Sequence, residues 1–530
     1  MGGGIAQLAS YGLADVYLTG SPQVTFWKLV YRRHTLFAME SIQQTFDGTA
    51  DFGRKATCTI TRNGDLVGPV WLELALPDVL AYDISPTPPD GNSLDVTAAA
   101  AGLYADPHGN YWQTFAGNLY TNPVAFAGAA GAYYALATLP GTTEAVTSYS
   151  TASGLYSGAT QQGNALQVAA ATAFPTWPYL CRTGSPGSYT FATPSHQVRY
   201  TNSVAHAILS SVELEIGGAR IDKHVGEWLD VWSELSEKEE KRAGFWDMIG
   251  KYSDADYAAG WQRAQSRART YYLPLRFCYN TSPGLYLPLV ALSYHQIKYN
   301  FEFRDYLECV KAAVPISQLT AKQGGDLLSM NCSIFADYVF LDAPERIRMA
   351  EIPHEYLVTQ LQYQIEAVPA PLDPNGTRSR KYSLNFNHPV RELVWVYTAK
   401  SNYERDAVGG NNWFAYGLPG DDSAEIFDEA RLVINGHDRF SARSAPYFRL
   451  IQPYEHHTRC PAKKVHCYSF SLLSPEDYQP SGQANFSRFD SAQLQFVLNQ
   501  NLPAGQMKMF AYSFNVLRIA SGLAGLAFAN

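Results

Sequence analysis

Segments in which apolar and polar residues alternate strictly constrain the fold of this chain more than any other feature. In residues 211–218, SVELEIGG, the valine, leucine and isoleucine point one way and the two glutamates point the other. A period of two residues places successive side chains on opposite faces of a β-strand. The alternation recurs at residues 296–303, 361–366 and 510–516. Two denser apolar runs, 70–76 and 391–398, are typical of strands covered on both faces.

Turn and helix signals indicate how these strands are connected. Short glycine-containing turns stand between the apolar segments: Asn63-Gly64, Gly217-Gly218, Pro283-Gly284 and Asn435-Gly436. Apolar residues recur at helical spacing over 228–235, and a second short helix is predicted from Ser474. The charged run after Ser236 is interpreted as the solvated end of the first helix. Many strands and few helices predict a β-sandwich or jelly roll and disfavour alternating β and α units.

Two stretches of the chain resemble each other and indicate an internal duplication. Residues 214–222, LEIGGARID, are similar to residues 432–440, LVINGHDRF, and the matching glycines lie 218 positions apart. Each stretch is interpreted as a strand, a glycine turn and a polar segment that returns alongside the strand. A long alternating strand follows each copy, at 296–303 and at 508–516. We interpret the chain as two consecutive units of the same kind.

The first copy holds an extra block, at about residues 80–197, that the second copy lacks. Within it, residues 107–190 carry only Glu144 and Arg182 as charged residues. Its glycines, prolines and polar residues are unlike those of a membrane-spanning helix. We interpret the block as a surface-loop elaboration, and a separate domain is the alternative.

Composition narrows the classes of function. With 40 Lys+Arg and 48 Asp+Glu the net charge is −8, which disfavours a coat that neutralises nucleic-acid phosphates. Charged residues make up 17% and aromatic residues 13% of the chain, a balance typical of surfaces that are buried against partners. The opening MGGGIAQLAS lacks the basic and apolar regions of a signal peptide. The seven cysteines are odd in number and scattered, and are interpreted as reduced thiols.

The sequence predicts neither an enzyme nor a bound cofactor. It contains no G-x-S-x-G elbow, no Walker loop and no H-E-x-x-H motif. A cluster of zinc-ligand residue types lies within twelve positions: His456, His457, Cys460, His466 and Cys467. His466 and Cys467 are adjacent on a predicted strand and therefore point to opposite faces. We accordingly predict no metal site.

Two further groups of residues are candidate sites. N-x-S/T sequons make four asparagines candidates for glycosylation: Asn280, Asn331, Asn375 and Asn485. Of these, Asn375 lies in the Pro- and Gly-rich segment PAPLDPNGTRSR and is the best surface candidate. The basic trio Arg32-Arg33-His34 suits an acidic partner or a lipid headgroup, and a solvated patch is the alternative.

Three long blocks of the sequence resemble the major capsid proteins of nucleocytoplasmic large DNA viruses, and the algal-virus (phycodnavirus) branch most closely. The blocks are Leu18–Glu40 (LTGSPQVTFWKLVYRRHTLFAME), Leu214–Leu235 (LEIGGARIDKHVGEWLDVWSEL) and Tyr468–Asp490 (YSFSLLSPEDYQPSGQANFSRFD). They occur in the family's order and span nearly the whole chain. The opening GGGIAQLASYGLADVY extends the likeness, and residues 80–197 do not share it.

The resemblance implies an all-β fold of two consecutive eight-stranded antiparallel jelly rolls, with a few short helices in loops. It implies an N-terminal arm over residues 1–22, a first jelly roll over 23–312 that contains the insertion at about 80–197, and a second jelly roll over 313–530. The insertion is then expected in an external tower or an intersubunit contact, covered by neighbouring subunits or by glycan.

The resemblance also implies a structural, non-enzymatic function. Such a late protein forms homotrimers, which are pseudo-hexagonal capsomers that contact neighbouring capsomers and tile the icosahedral shell of a large DNA virus. Minor capsid proteins are expected on the inner face near the N-terminal arm, with Lys28, Arg32 and Arg33 close by. An inner membrane is expected nearby but not spanned, direct nucleic-acid contact is not expected, and assembly is expected in the host cytoplasm.

Two other functions stay open on the sequence. One is a jelly-roll virion surface protein that binds or processes carbohydrate, for which a groove lined by aromatic residues is expected. The other is a minor capsid or penton component with a single jelly roll, which the apparent duplication disfavours.

Overall fold

The computed structural model describes residues 34–79, 198–253, 268–312, 329–369, 378–405, 410–419, 424–474 and 479–528, a few isolated positions, and the backbone of short strands in between. The predicted N-terminal arm (1–22) and the side chains of nearly all of the insertion (80–197) lie outside these residues, as does most of the helix predicted from Ser474.

Eight antiparallel strands form the first sandwich. They are β1 (Phe37–Gln44), β2 (Lys55–Thr59), β3 (Leu66–Leu76), β4 (Leu209–Ile216), β5 (Ala219–Val225), β6 (Arg269–Pro274), β7 (Ile297–Phe303) and β8 (Asn331–Leu341). One sheet has the order β1-β8-β3-β6 and the other has the order β5-β4-β7-β2. Apart from the β4–β5 hairpin, neighbours in these sheets are far apart in the chain, as in a jelly roll.

A second set of eight strands repeats this arrangement. They are β9 (His354–Val368), β10 (Ser379–Ser383), β11 (Pro389–Ala399), β12 (Phe427–Ile434), β13 (His437–Asp438), β14 (His466–Ser469), β15 (Ala492–Leu498) and β16 (Gly505–Ala520). Their sheets run β9-β16-β11-β14 and β13-β12-β15-β10, which are the orders of the first sandwich with each strand replaced by its counterpart. The chain is a double jelly roll, and the predicted duplication is confirmed.

The hairpins that suggested the duplication are β4–β5 and β12–β13, but one proposed equivalence is wrong. The sequence paired residues 296–303 with 508–516. In the structure the counterpart of β7 is β15, which pairs with β12 as β7 pairs with β4. Residues 508–516 belong to β16, in the opposite sheet, where nearly every residue is buried. The alternation of apolar and polar residues alone does not show to which of the two sheets each of these strands belongs.

The remaining elements are short. The additional strands are Phe46–Asp47, Tyr82–Ile84, Gly102–Ala105, Tyr111–Phe115, Asn118–Thr121, Tyr133–Tyr134, Ser148–Thr151, Gly154–Ser157, Leu180–Arg182, Tyr189–Phe191, Val198–Tyr200, Leu287–Pro288, Val310–Ala312, Leu319–Ala321, Arg443–Ser444, Ala484–Asn485 and Leu523–Leu526. The α-helices are α1 (Val204–Ile208), α2 (Gly226–Ser236), α3 (Arg242–Ile249), α4 (Cys278–Thr281), α5 (Tyr306–Cys309), α6 (Ala343–Glu351), α7 (Lys400–Tyr403) and α8 (Gln452–His456). A π-helix covers Tyr447–Ile451, and 3-10 turns cover Glu239–Lys241, Pro283–Leu285 and Phe486–Arg488.

Each sandwich has its own hydrophobic core, built mainly from the inward residues of both of its sheets, and the first core also includes Val358, Leu517 and Ile519 from β9 and β16. Leu72 on β3 and Tyr299 on β7 are fully buried in the first core, and Trp395 on β11 and Phe496 on β15 are buried in the second. Strand β8 pairs with β1 and β3 and so belongs to the first sheet. We therefore propose a boundary between β8 and α6, whereas the sequence placed it after residue 312.

Candidate functional site: the seam between the two sandwiches

Helix α2 connects β5 to the rest of the first sandwich and carries an aromatic and aliphatic face. Trp228, Val231, Trp232 and Leu235 recur at a helical period, as the sequence predicted, and all four are buried. Gly226 begins the helix where the chain passes close to the backbone carbonyl oxygens of His206 and Leu209. Only a residue without a Cβ fits there, so the glycine holds the helix against the first sandwich.

The buried face of α2 packs on the second sandwich. It lies on the outer face of the β9-β16-β11-β14 sheet, the face that points away from that sandwich's own core. The Trp228 ring lies 5.2 Å from the Phe510 ring, and the Trp232 ring lies 4.9 Å from the Tyr512 ring. The other buried residues of this contact are Ala207, Leu361, Val394, Val396, Phe414, Tyr416, Val465 and Cys467. We call this contact the seam.

An ion-paired carboxylate stands at the beginning of the seam. Glu227 on α2 has its Oε1 3.0 Å from Nη2 of Arg304 and 3.0 Å from Nζ of Lys508. Lys508 lies on β16, so this carboxylate joins the two sandwiches. Burial by itself raises the pKa of Glu227, but the Lys508 and Arg304 cations outweigh burial and lower the pKa to about 2.

A second group of buried charges lies one and two turns further along α2. Lys251 Nζ lies 3.1 Å from Asp230 Oδ1 and 2.5 Å from Glu234 Oε1. From the second sandwich, Lys463 Nζ lies 2.9 Å from Asp230 Oδ2, and Arg459 Nη2 lies 3.2 Å from Glu234 Oε2. Each carboxylate therefore meets one cation from each sandwich.

The electrostatics of this group follow from its burial. Burial raises the pKa of both Asp230 and Glu234, but the Lys251 and Lys463 ammonium groups outweigh it and hold each pKa below its usual value. Burial lowers the pKa of Lys463, and the attraction of Asp230 offsets only part of that effect. Removing one partner would leave a buried charge uncompensated, which is more costly than replacing the whole group with apolar residues.

Hydrogen bonds complete the seam at its edges. Asp222 on β5 accepts at Oδ1 from the backbone N–H of Leu361 on β9, at 3.0 Å. Asn411 donates from Nδ2 to the carbonyl oxygens of Leu307 and Val310, both at 2.7 Å. Strand β9 is at the edge of its sheet, and because the Leu361 N–H is bonded to Asp222, β9 is not free to pair with another chain at that position. Apolar burial, ion pairs and edge hydrogen bonds together fix one sandwich against the other.

Three of the predicted site residues fall in the described part of the chain, and none of those three belongs to the seam. Lys28, Arg32, Arg33 and Asn375 are outside the described residues. Asn331, at the start of β8, and Asn485 are exposed. Asn280 is half-buried in α4 and donates from Nδ2 to the Gly68 carbonyl oxygen at 3.2 Å. None of the three described sequons joins the seam, and all four remain predictions as glycosylation sites.

The histidine and cysteine cluster is split between the two faces of one sheet. The His466 ring stacks on Trp395 in the second core, whereas its neighbour Cys467 lies in the seam. His457 Nε2 lies 2.8 Å from a buried oxygen of Glu392. Cys460 is exposed. Among the described residues, no group of three or more His, Cys, Asp or Glu is placed to hold a metal ion.

Six of the seven cysteines fall in the described part of the chain, and all six are free thiols. In the same part of the chain, no helix has the length and apolar character needed to cross a membrane.

Sequence reasoning missed the charged residues of the seam. The available signal was Asp230 and Glu234, two acids four positions apart that share one face of the predicted helix, on the side away from Trp228 and Trp232. Their partner Lys463 lies more than two hundred residues away, so only the folded chain shows that the acids are neutralised.

Comparison with known proteins assigns the family. A family model described as major capsid protein N-terminus matches residues 25–87 and 179–342. A second model, described as large eukaryotic DNA virus major capsid protein, matches residues 345–525. The first match ends just after β8 and the second begins in the first turn of α6, where the structure passes from the first sandwich to the second.

Individual relatives extend over the whole chain. The major capsid proteins of Pyramimonas orientalis virus and Phaeocystis pouchetii virus are 32% and 31% identical, each over 100% of both chains. That of Paramecium bursaria Chlorella virus 1 is 30% identical, also over 100% of both chains.

Solved structures agree with these relatives. The subunit in the quasi-atomic model of the PBCV-1 virus capsid is 26% identical, with a TM-score of 0.63 over 96% of this chain and 100% of that chain. The Faustovirus major capsid protein shares the fold at 13% identity, with a TM-score of 0.62 over 96% of this chain and 94% of that chain. These relatives give no support to the carbohydrate-binding alternative. The chain therefore belongs to the family of large eukaryotic DNA virus major capsid proteins.

Proposed function

We propose that this capsid protein forms homotrimers, and that each trimer is a pseudo-hexagonal capsomer of the icosahedral shell. The observation that carries the proposal is the repeat of one eight-stranded topology, with the two copies locked together by the seam. A chain that presents two equivalent upright units supplies six units when three chains associate in a closed ring.

The surface of the chain supports association with further copies. Large apolar side chains stay exposed in a molecule with only 17% charged residues. Exposed apolar groups that cluster on a surface mark protein contacts, and obligate interfaces are depleted of charge and enriched in aromatic residues. Other copies of this chain, in the same trimer and in neighbouring capsomers, have the same charge-poor surface with exposed apolar side chains. They are therefore suitable partners for these contacts.

The remaining features of the proposal concern the inner side of the shell. We propose that the N-terminal arm, with Lys28, Arg32 and Arg33, contacts minor capsid proteins there, close to an inner membrane that the chain does not span. The net charge of −8 supports a role without direct nucleic-acid contact. We further propose assembly in the host cytoplasm and a purely structural, non-enzymatic role.

Sedimentation of the purified full-length protein tests the trimer. We expect a species with three times the mass of one chain, which persists on dilution into the micromolar range. A protein that stays monomeric at every concentration and salt condition would contradict the proposal. Negative-stain images of the same sample are expected to show six-lobed particles.

A further inference from the structure

The two sandwiches carry corresponding helices after corresponding strands. In the first sandwich α2 follows β5, and in the second a helical segment made of the π-helix and α8, residues 447–456, follows β13. The apolar residues of α2 that face the seam are Trp228, Val231, Trp232 and Leu235. In the second segment Tyr447, Leu450, Ile451 and Tyr454 repeat the same spacing 219 positions later, whereas Phe448 is buried in the second core. The hairpin glycines are separated by 218 positions, so the two helices are duplicates as well.

The duplicated helices differ in what covers them. In α2 the apolar face is buried in the seam. In the second segment Tyr447 is half-buried, whereas Leu450, Ile451 and Tyr454 are 41%, 47% and 81% exposed. Leu472 and Leu473 are exposed in the loop that packs beside this helix through the hydrogen bond from Ser474 N–H to the His456 carbonyl oxygen. We call Leu450, Ile451, Tyr454, Leu472 and Leu473 the helix patch.

The corresponding sheets of the two sandwiches also differ in whether their outer faces are buried. The outer face of the β9-β16-β11-β14 sheet is buried under α2. The outer face of its counterpart, β1-β8-β3-β6, exposes Phe37, Met39 and Tyr272. Between these strands Trp71 on β3 and Phe335 on β8 are paired in register and half-buried. We call these five residues the sheet patch.

We propose that the helix patch of one chain docks on the sheet patch of a second copy of the same chain, in the way that α2 docks on the second sandwich within a chain. The occupant is a second copy because the molecule already contains one such contact, made from the duplicates of both surfaces. Each exposed patch is the duplicate of one side of that contact, the helix side or the sheet side. This inference rests on the proposed trimer and names the residues through which it forms.

The arrangement has a geometric consequence. The helix patch and the sheet patch are different surfaces on one chain, so the contact is heterologous and each chain uses both patches once. Repetition of a heterologous contact that resembles the internal seam closes a ring in which every sandwich contacts the next in the same manner. A two-fold dimer through either patch alone would not satisfy the other patch.

A matched pair of tyrosine substitutions tests the helix patch in the full-length protein. Tyr454 in the patch is 81% exposed, and Tyr294, which belongs to neither patch, is 77% exposed. We expect Tyr454→Arg to raise the concentration at which the oligomer dissociates by about a hundredfold or more, and Tyr294→Arg to change it by less than about threefold. Both variants are expected to keep the wild-type circular dichroism spectrum and monomer unfolding midpoint, because both side chains are largely exposed.

A mixing experiment tests that the two patches meet each other. We expect Tyr272→Arg, in the sheet patch, to dissociate the oligomer as Tyr454→Arg does. Mixed together, the two variants retain one intact helix patch and one intact sheet patch between them. We expect them to form a 1:1 dimer that does not grow further, whereas each variant alone stays monomeric.

The outcomes separate this inference from the function on which it rests. If the wild-type protein is monomeric, the proposed trimer fails and the docking contact fails with it. If the wild-type protein forms trimers that Tyr454→Arg leaves intact, the trimer stands and the helix patch is overturned, as it would be if another protein or another part of this chain occupied the patch. If both variants dissociate but do not form the mixed dimer, the pairing of the two patches is overturned.

Discussion

Nζ of Lys508, on β16 of the second sandwich, lies 3.0 Å from Oε1 of Glu227, on α2 of the first. Both side chains are buried, and Arg304 is the other cation that contacts the same carboxylate. The pair therefore joins two sandwiches that have separate cores. A buried pair of this kind adds little net stability over an apolar replacement. A wrongly packed seam would separate the two charges, however, and an unpaired buried charge costs folding free energy.

The first prediction concerns this pair. Lys508→Met leaves Glu227 with one cation, and we expect a loss of about 3–5 kcal/mol in the free energy of unfolding. Urea denaturation followed by circular dichroism measures it. In the double variant Glu227→Gln, Lys508→Met we expect a smaller loss than the sum of the two single losses, because the attraction between Glu227 and Lys508 contributes to both single losses but is lost only once.

The control for this prediction is an exposed pair between strands β9 and β16. Arg518 Nε lies 2.8 Å from Glu355 Oε1, and both side chains are more than half exposed. Arg518→Met is expected to change the free energy of unfolding by no more than about 1 kcal/mol. Equal losses for Lys508→Met and Arg518→Met would show that burial at the seam contributes nothing.

The second prediction is a loss of stability at acidic pH. The folded-state pKa of Glu227 is about 2, below its ordinary value of 4.5, and the pKa values of Asp230 and Glu234 are also lowered. Groups with a depressed folded pKa contribute stability that is present above the unfolded pKa and is lost as the pH falls through the folded pKa. We expect the urea midpoint to fall from pH 5 towards pH 2, and to fall less steeply in Glu227→Gln. Parallel pH profiles for the two proteins would contradict the role assigned to Glu227.

The third prediction concerns the apolar part of the seam. Trp228 is almost fully buried, and its ring lies 5.3 Å from Trp232 and 5.5 Å from Tyr512. We expect Trp228→Ala to lower the free energy of unfolding by about 3–5 kcal/mol, through lost burial and the cavity that remains. The half-buried Trp246 on α3 provides the comparison, and Trp246→Ala is expected to cost clearly less. Thermal and urea unfolding measure the loss in each variant. A larger loss for Trp246→Ala than for Trp228→Ala would contradict the prediction.

Much of the fold could be predicted from the sequence because single elements carry their own pattern. Residues 211–216 and 297–303 alternate as β4 and β7 do in the structure, with one face buried and one half-exposed. The apolar residues of 228–235 fixed the buried face of α2 in the same way. The glycine turns marked both hairpins, Gly217-Gly218 and Asn435-Gly436.

The parts that could not be predicted depend on contacts between distant elements. The runs at 70–76 and 391–398 look alike as sequences and were both expected to be covered on two faces. In the chain β11 is buried on both faces, because α2 covers its outer side, whereas the outer residues of β3 are only half-buried. The burial of the charged Asp230 and Glu234 side chains likewise could not be predicted, because the cations that neutralise them come from other parts of the chain.

The fourth prediction uses two glycines of the α2–α3 region, for which the same substitution has opposite effects. A Cβ on Gly226 would overlap the carbonyl oxygens of His206 and Leu209, which are backbone atoms that cannot turn aside. We expect Gly226→Ala to cost about 2–4 kcal/mol by pushing the beginning of α2 out of the seam. Gly244, in the exposed part of α3, has no atom within 4 Å of the position of a Cβ. Gly244→Ala should therefore raise stability by about 0.5–1 kcal/mol, because alanine loses less backbone entropy in a helix. Urea midpoints of the two variants that shift in the same direction would contradict the close approach at Gly226.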